Sequence, residues 1–287
     1  LSILATRMSA PHVSALEFCI ADDASSASSK DRWVDGEDVS ASDQIPDYYA
    51  HSSAELMQHR GLFRNTDHLR FHRARMAGPA MILGNGPSLR GFDFKRLERF
   101  DVFGMNAAYR FWHEIEWYPQ YYSCLDTVVG LSHQAEISEL IHNADRYGIR
   151  LFLLRQNLIE ALGPLGRSEK VLNFDQLKHY VSLFQAPTVT TGSHTAAWAA
   201  VLGYREIFML GIDCNYVERV DGAQDVGVGT ELEIVEEKDN PNYFFDGYQK
   251  KGDRFNVPNP GRDIHMSSWR EVAALVESAG CRILNAN

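Results

Sequence analysis

From residue 79 onward the chain alternates short apolar runs with stretches of helical periodicity. Ala80-Met81-Ile82-Leu83 is four apolar residues closed by Gly84, the pattern of a strand buried on both faces. A short helix is expected over 94–99. Two strand-like runs follow, 101–106 and 120–126, ending on the polar residues Asn106 and Asp126. A helix over 131–147, a strand over 150–154, a weaker strand over 170–173, a helix over 192–202 and a strand over 206–211 continue the alternation. A last helix is predicted over 267–279, capped by Ser267 and closed by Gly280, with a final strand at 282–284. Strand alternating with helix implies an α/β fold, a doubly wound and mostly parallel sheet. Ligands of such sheets sit outside the carboxyl ends of the strands, so the Gly84 turn, Asn106 and Asp126 are expected on one rim.

Regularity fails between 215 and 260, a stretch rich in Gly, Asp, Asn and Tyr. A segment this long without its own secondary structure reads as an active-site lid, taken as about 215–262. Asp239, Asp246, Asp253 and Asp263 are expected to solvate it. Upstream, 21–46 has a Ser-, Asp- and Ala-rich composition that resists independent folding, and 48–75 carries an Arg/His-rich pattern suited to one or two helices. Residues 1–77 are thus expected to form a partly irregular, partly helical extension to a catalytic domain at 78–287.

Composition narrows the partners. A net charge of -10 without a basic stripe argues against nucleic acid. No apolar run approaches the ~20 residues that a membrane span needs. The chain as given begins at Leu1, which leaves peripheral membrane association to regions outside it. Four cysteines, Cys19, Cys124, Cys214 and Cys281, lie far apart without CxxC or Cys/His spacing, so neither a zinc site nor a disulfide framework is expected, and a cytoplasmic setting is. A homo-oligomer is the expected assembly.

Four groups of residues could carry chemistry. In Gly84-Asn85-Gly86-Pro87-Ser88-Leu89 the glycines would let backbone approach a phosphate, and free N–H groups at the turn would attract it. Leu89 occupies the third position of a GxGxxG motif and no GK[ST] follows, so neither a dinucleotide fingerprint nor a P-loop is present; a tight turn without a ligand is the other reading. Thr190-Thr191-Gly192-Ser193-His194 opens a helix where hydroxyls and a glycine could hold an anion or simply cap it. His194, one turn into an apolar helix, reads as a packed histidine. His265, after the lid, could accept a proton near neutral pH. Tyr216, Tyr243 and Tyr248 could donate hydrogen bonds to a departing phosphate, or only fasten the loop by burial. Asp213 ends a strand and could orient a ligand hydroxyl; no metal-binding DxD pair stands there.

As an ordered set, Gly84-Asn85-Gly86-Pro87-Ser88-Leu89, the strand ending at Asn106, Thr190-Thr191-Gly192, Leu202-Gly203-Tyr204-Arg205-Glu206-Ile207, Gly211-Ile212-Asp213 and His265 resemble the bacterial sialyltransferases of glycosyltransferase family forty-two. They also resemble the related domain of motility-associated glycosyltransferases and an archaeal pterin pyrophosphokinase. The resemblance covers about 80–279. It implies a Rossmann-like, GT-A-like fold in which Asn85 and Asn106 contact a cytidine monophosphate (CMP) donor, Thr190, Thr191 and Gly192 bind it too, and His265 is the general base. Tyr216 with Tyr243 or Tyr248 would contact the phosphate. Asp126 stands near where the family has a further donor-binding asparagine, a departure that touches donor identity.

The function so implied is inverting transfer of a sialic-acid-like, nonulosonic sugar from a CMP-activated donor to a hydroxyl of a glycan or glycolipid acceptor, with no metal and no cofactor beyond the donor. A magnesium-dependent pyrophosphokinase and a non-catalytic nucleotide- or glycan-binding domain are the alternatives.

Overall fold

The structure is a computed structural model that describes residues 78–227, 229–260 and 263–287; the expected extension at 1–77 lies outside the described residues. Its first strand, β1 (Ala80–Leu83), is buried at all four positions, as a four-residue apolar run requires. After β2 (Asp101–Met105) comes helix α1 (Tyr109–Ile115), then β3 (Tyr121–Cys124). The stretch expected as one helix over 131–147 is three: α2 (Thr127–Ser132), α3 (Gln134–His142) and α4 (Ala144–Tyr147). The first break falls at His133, whose non-helical backbone accompanies a ring turned into the interior. Next are β4 (Leu151–Leu154), α5 (Gln156–Ala161), β5 (Val171–Asn173), α6 (Phe174–Tyr180), α7 (Thr191–Leu202) and β6 (Glu206–Leu210). Helices α1, α5 and α6 are too short for periodicity to announce them.

The lid is more ordered than its composition suggests. It contains β7 (Ala223–Asp225), β8 (Glu231–Ile234) and β9 (Arg254–Asn256), paired antiparallel in that order. Val220, Leu232, Ile234 and Phe255 give this small sheet a core of its own. The last helix, α8 (Ile264–Ser278), starts three residues earlier than expected, and β10 (Arg282–Asn285) follows it. The cap is the Asp263 carboxylate, which accepts from the Met266 N–H, and not Ser267, which lies inside the helix.

The main sheet runs β10-β6-β1-β2-β3-β4-β5, with every neighbouring pair parallel. Strands added on one side of β1 until β5, after which β6 crossed to the other side, so the order reverses beside β1. Both faces are covered, which explains why the central strands are apolar throughout. On one face α7 is buried at every residue except Gly192, and its Trp198 meets Phe103 and Tyr121 edge-on. On the other lie Trp112, Tyr122, Ile137, Leu140 and Phe152. Among the described residues no helix is long and apolar enough to cross a membrane.

Candidate functional site

Where the strand order reverses, the carboxyl ends of β1, β2 and β6 and the start of α7 surround a cavity of about 420 Å³, a size typical of small-molecule sites, with the lid and the first turn of α8 opposite. Gly84, Asn85, Gly86, Pro87, Asn106, Asp126, Thr190, Thr191, Gly192, Asp213, Tyr216, Tyr243, Tyr248 and His265 all line it. Ser88 does not; it is exposed, and its N–H is held by Asp213.

The glycine turn serves a different purpose from the one its composition suggests. The Gly84 N–H donates to Leu210 O, that of Gly86 to Gly211 O, that of Ser88 to Asp213 Oδ2 and that of Leu89 to Gly86 O. Pro87 has no N–H, so little of this backbone is free to cradle a phosphate. Neither Gly84 nor Gly86 has positive φ. What excludes a side chain is protein: a Cβ on Gly84 would overlap the Gly211 carbonyl, and one on Gly86 the Asp213 carboxylate. The glycines let the ends of β1 and β6 close against each other. Asp213 likewise braces this seam, accepting from Ser88 N and from Asn287 Nδ2 (3.1 Å).

Asn85 does offer a ligand something. Its Nδ2 donates to Met105 O (3.3 Å) and to the Tyr248 hydroxyl (3.0 Å), and because a carbonyl can only accept, this bond fixes which side of the amide carries oxygen. Oδ1 of Asn85 is buried and has no hydrogen-bond partner among the described residues. The same holds for Oδ1 of Asn106. Asn106 sits at φ 52, a left-handed conformation that asparagine tolerates better than most residues. A buried acceptor left unmatched costs about 1–3 kcal/mol. Both belong to residues that line the cavity, and they are acceptors of the kind that a hydroxyl or amine donor would satisfy.

The hydroxyls at the start of α7 are already committed. Thr190 Oγ1 lies 2.9 Å from Ser193 Oγ, Ser193 Oγ lies 2.6 Å from Ser268 Oγ, and Thr191 Oγ1 accepts from Leu125 N at 3.2 Å. They fasten α7 to α8 and to the end of β3. None caps the helix, so its first N–H groups, beside the cavity, have no side-chain acceptor among the described residues, and the positive end of the helix dipole comes with them. The anion-attracting element is therefore this helix start more than the glycine turn. Asp126 caps α2, with Oδ1 accepting from Val128 N and Val129 N, and is held to the lid by Asn256 Nδ2.

His265 is the second residue of α8 and so lies inside the helix expected to open only at Ser267. Its ring packs on Tyr216, centroids 4.5 Å apart. Burial pulls its pKa below the usual histidine value, opposed by Asp263, the Pro258 carbonyl and Asp126. A ring nitrogen that donates to Pro258 O leaves the other with its lone pair. Tyr243 and Tyr248 stack at 3.6 Å. Burial raises the hydroxyl pKa of Tyr216, Tyr243 and Tyr248, so all three are neutral phenols able to donate. His194 is wholly buried against Phe174, with Ser193 Oγ near its Nδ1, and burial lowers its pKa to about 4. It is a packing residue.

Two residues of the site escaped the sequence reading. His133 lines the cavity, buried, with Nδ1 2.6 Å from the Tyr109 hydroxyl and its pKa lowered by burial. Asp253, expected to solvate the loop, is buried and grips Arg110 through both carboxylate oxygens. Asp263 is likewise no loop charge but the cap of α8; Asp239 and Asp246 are exposed as expected. Among the described residues no three of His, Cys, Asp and Glu come together as a metal-binding set.

Fold and cavity together define an α/β protein built to hold a small ligand at its topological switch point. Neither a family model nor a curated protein matches the chain. Among solved structures it is similar to the sialyltransferase CstII from Campylobacter jejuni in complex with a substrate analogue, CMP-3FNeuAc, at 20% identity and a TM-score of 0.45, over 73% of this chain and 81% of that one. It is similar also to the sialyltransferase CST-II in complex with a trisaccharide acceptor and CMP, at 19% identity and a TM-score of 0.43, over 72% and 80%. A third is the MAf glycosyltransferase from Magnetospirillum magneticum AMB-1, at 15% identity and a TM-score of 0.39, where 78% of this chain spans 38% of that one.

Proposed function

We propose that the protein is a glycosyltransferase that moves a sialic-acid-like, nonulosonic sugar from a CMP-activated donor to an acceptor hydroxyl. One observation carries the reading: segments around 84, 106, 191 and 265, remote in sequence, meet around one cavity, and two of the residues lining it, Asn85 and Asn106, carry amide oxygens unmatched among the described residues. Ribose hydroxyls and the cytosine amine are donors of the kind those oxygens need. The phosphate would meet the uncapped start of α7 and the neutral phenols of Tyr216, Tyr243 and Tyr248. Tyr248 accepts from Asn85, which leaves its own proton to donate.

The chemistry asks for little acid catalysis, because a nucleotide phosphate already leaves readily. The enzyme's task is to hold donor and acceptor in line and to stabilise charge as the sugar becomes oxocarbenium-like. His265 would take the acceptor proton as the acceptor oxygen bonds to the anomeric carbon and the phosphate oxygen departs, inverting that centre. No step calls for a divalent metal. Pyrophosphoryl transfer would instead call on carboxylates to hold magnesium; Asp126, Asp213 and Asp253 are each engaged by protein donors.

The test is a titration of cytidine, uridine, guanosine and adenosine nucleotides by calorimetry, followed by a transfer assay with the CMP-activated sugar. Selective CMP binding and transfer are expected. ATP binding that requires magnesium, with CMP silent, would replace this reading with the pyrophosphokinase one, and CMP binding without turnover would leave a binding domain.

A further inference from the structure

We infer that Arg110 is a positioning residue: paired with Asp253, it fixes Tyr248 against Asn85 and so shapes the cavity at the end of β1. The inference rests on the donor-site reading for its functional half only. Arg110 lies four residues after Asn106, in the first turn of α1, with a side chain 9% exposed. Its Nη1 donates to the Tyr248 carbonyl at 2.8 Å and to Asp253 Oδ2, and its Nη2 donates to Asp253 Oδ1 at 3.0 Å and reaches Glu136 at 3.4 Å. Asp253, 10% exposed, also accepts from Lys250 N at 2.7 Å and lies 3.8 Å from His133 Nε2.

One guanidinium thus organises the lid between 248 and 253 from a helix that begins right after the Asn106 turn. A buried ion pair adds little net stability over a packed apolar pair. What it supplies is direction, because a planar fork grips both oxygens of a carboxylate in one plane. The constraint passes on through Tyr248, whose ring stacks on Tyr243 and whose hydroxyl takes the Asn85 amide. Without it, the orientation of Asn85 Oδ1 depends on Met105 O alone.

Arg110→Lys, Asp253→Asn and the charge-free double variant Arg110→Met/Asp253→Leu test this, each in the full chain. The double variant leaves no uncompensated buried charge and should fold where a single variant fails. Amide hydrogen exchange on the unliganded proteins is expected to quicken at least tenfold over 242–256 and to stay unchanged in β1, β2 and β6. CMP affinity is expected to fall about tenfold in each variant, and by no more in the double variant than in the worse single one. Unchanged exchange over 242–256, an increase spread evenly over the domain, or wild-type CMP affinity in the double variant would each overturn the inference. If the wild-type chain itself ignores CMP, the donor-site reading fails, and the exchange pattern alone still decides whether Arg110 holds the lid.

Discussion

Two histidines kept neutral by burial show how position divides function from packing. His265 lines the cavity, so its lowered pKa bears on rate. If the unprotonated ring is the base, as proposed, transfer should fall as pH drops through a value below 6.5, leaving activity flat around neutrality; a pH profile of kcat checks this. His265→Ala should cut turnover at least a hundredfold while CMP affinity stays within a few-fold. His194 bears on stability instead. With a folded pKa of about 4 against an ordinary 6.5, its contribution is complete above 6.5 and is lost as pH falls toward 4, worth at most ~3 kcal/mol. Urea denaturation above 6.5 and near 4 should show that loss in the wild type and a flatter dependence in His194→Gln. The sequence separates the two because a histidine inside an apolar helical face and one beside an irregular segment sit in different local patterns. It misplaced Asp253, because burial of that carboxylate depends on Arg110, far away along the chain.

At the scale of elements, backbone fit decides which glycines are replaceable. Gly84→Ala forces a methyl into the Gly211 carbonyl, where neither backbone can give, and should cost about 1–3 kcal/mol or prevent folding. Gly192→Ala meets Trp269 at 3.4 Å, Ile212 at 3.6 Å and Met105 at 3.9 Å, all ordinary contacts, inside a helix, and should leave stability within a few tenths of a kcal/mol. Chemical denaturation of the two variants measures the difference. Asp263→Ala, which removes the cap of α8, should cost about 1 kcal/mol in the same assay. The main sheet was legible because each central strand is an apolar run closed by a polar residue or glycine, a pattern set by burial on both faces. The lid sheet was not. Glu231-Leu232-Glu233-Ile234 does alternate, but four residues of alternation amid Gly, Asp and Asn give too little period to separate strand from loop. The glycine turn was found correctly and its purpose misread, since the partner that demands small residues, the end of β6, enters from a remote part of the chain.

For the molecule as a whole, the cavity is closed by segments that share no local interactions, so a ligand that bridges them should stabilise the entire domain. CMP at a hundred times its Kd should raise unfolding free energy by about 2.7 kcal/mol, seen as a shifted urea midpoint at unchanged slope. The strand order carries a further consequence for how the protein comes to be. β1 is made first, yet its second neighbour, β6, is made only after four other strands of the sheet. During synthesis Ala80–Leu83 therefore waits with one flank bare, a greasy ribbon of unpaired amides that any other extended segment could adopt. The pairing of β6 with β1 is also the one that brings Gly211 to Gly84, so a chain stalled before residue 206 would be sticky as well as siteless.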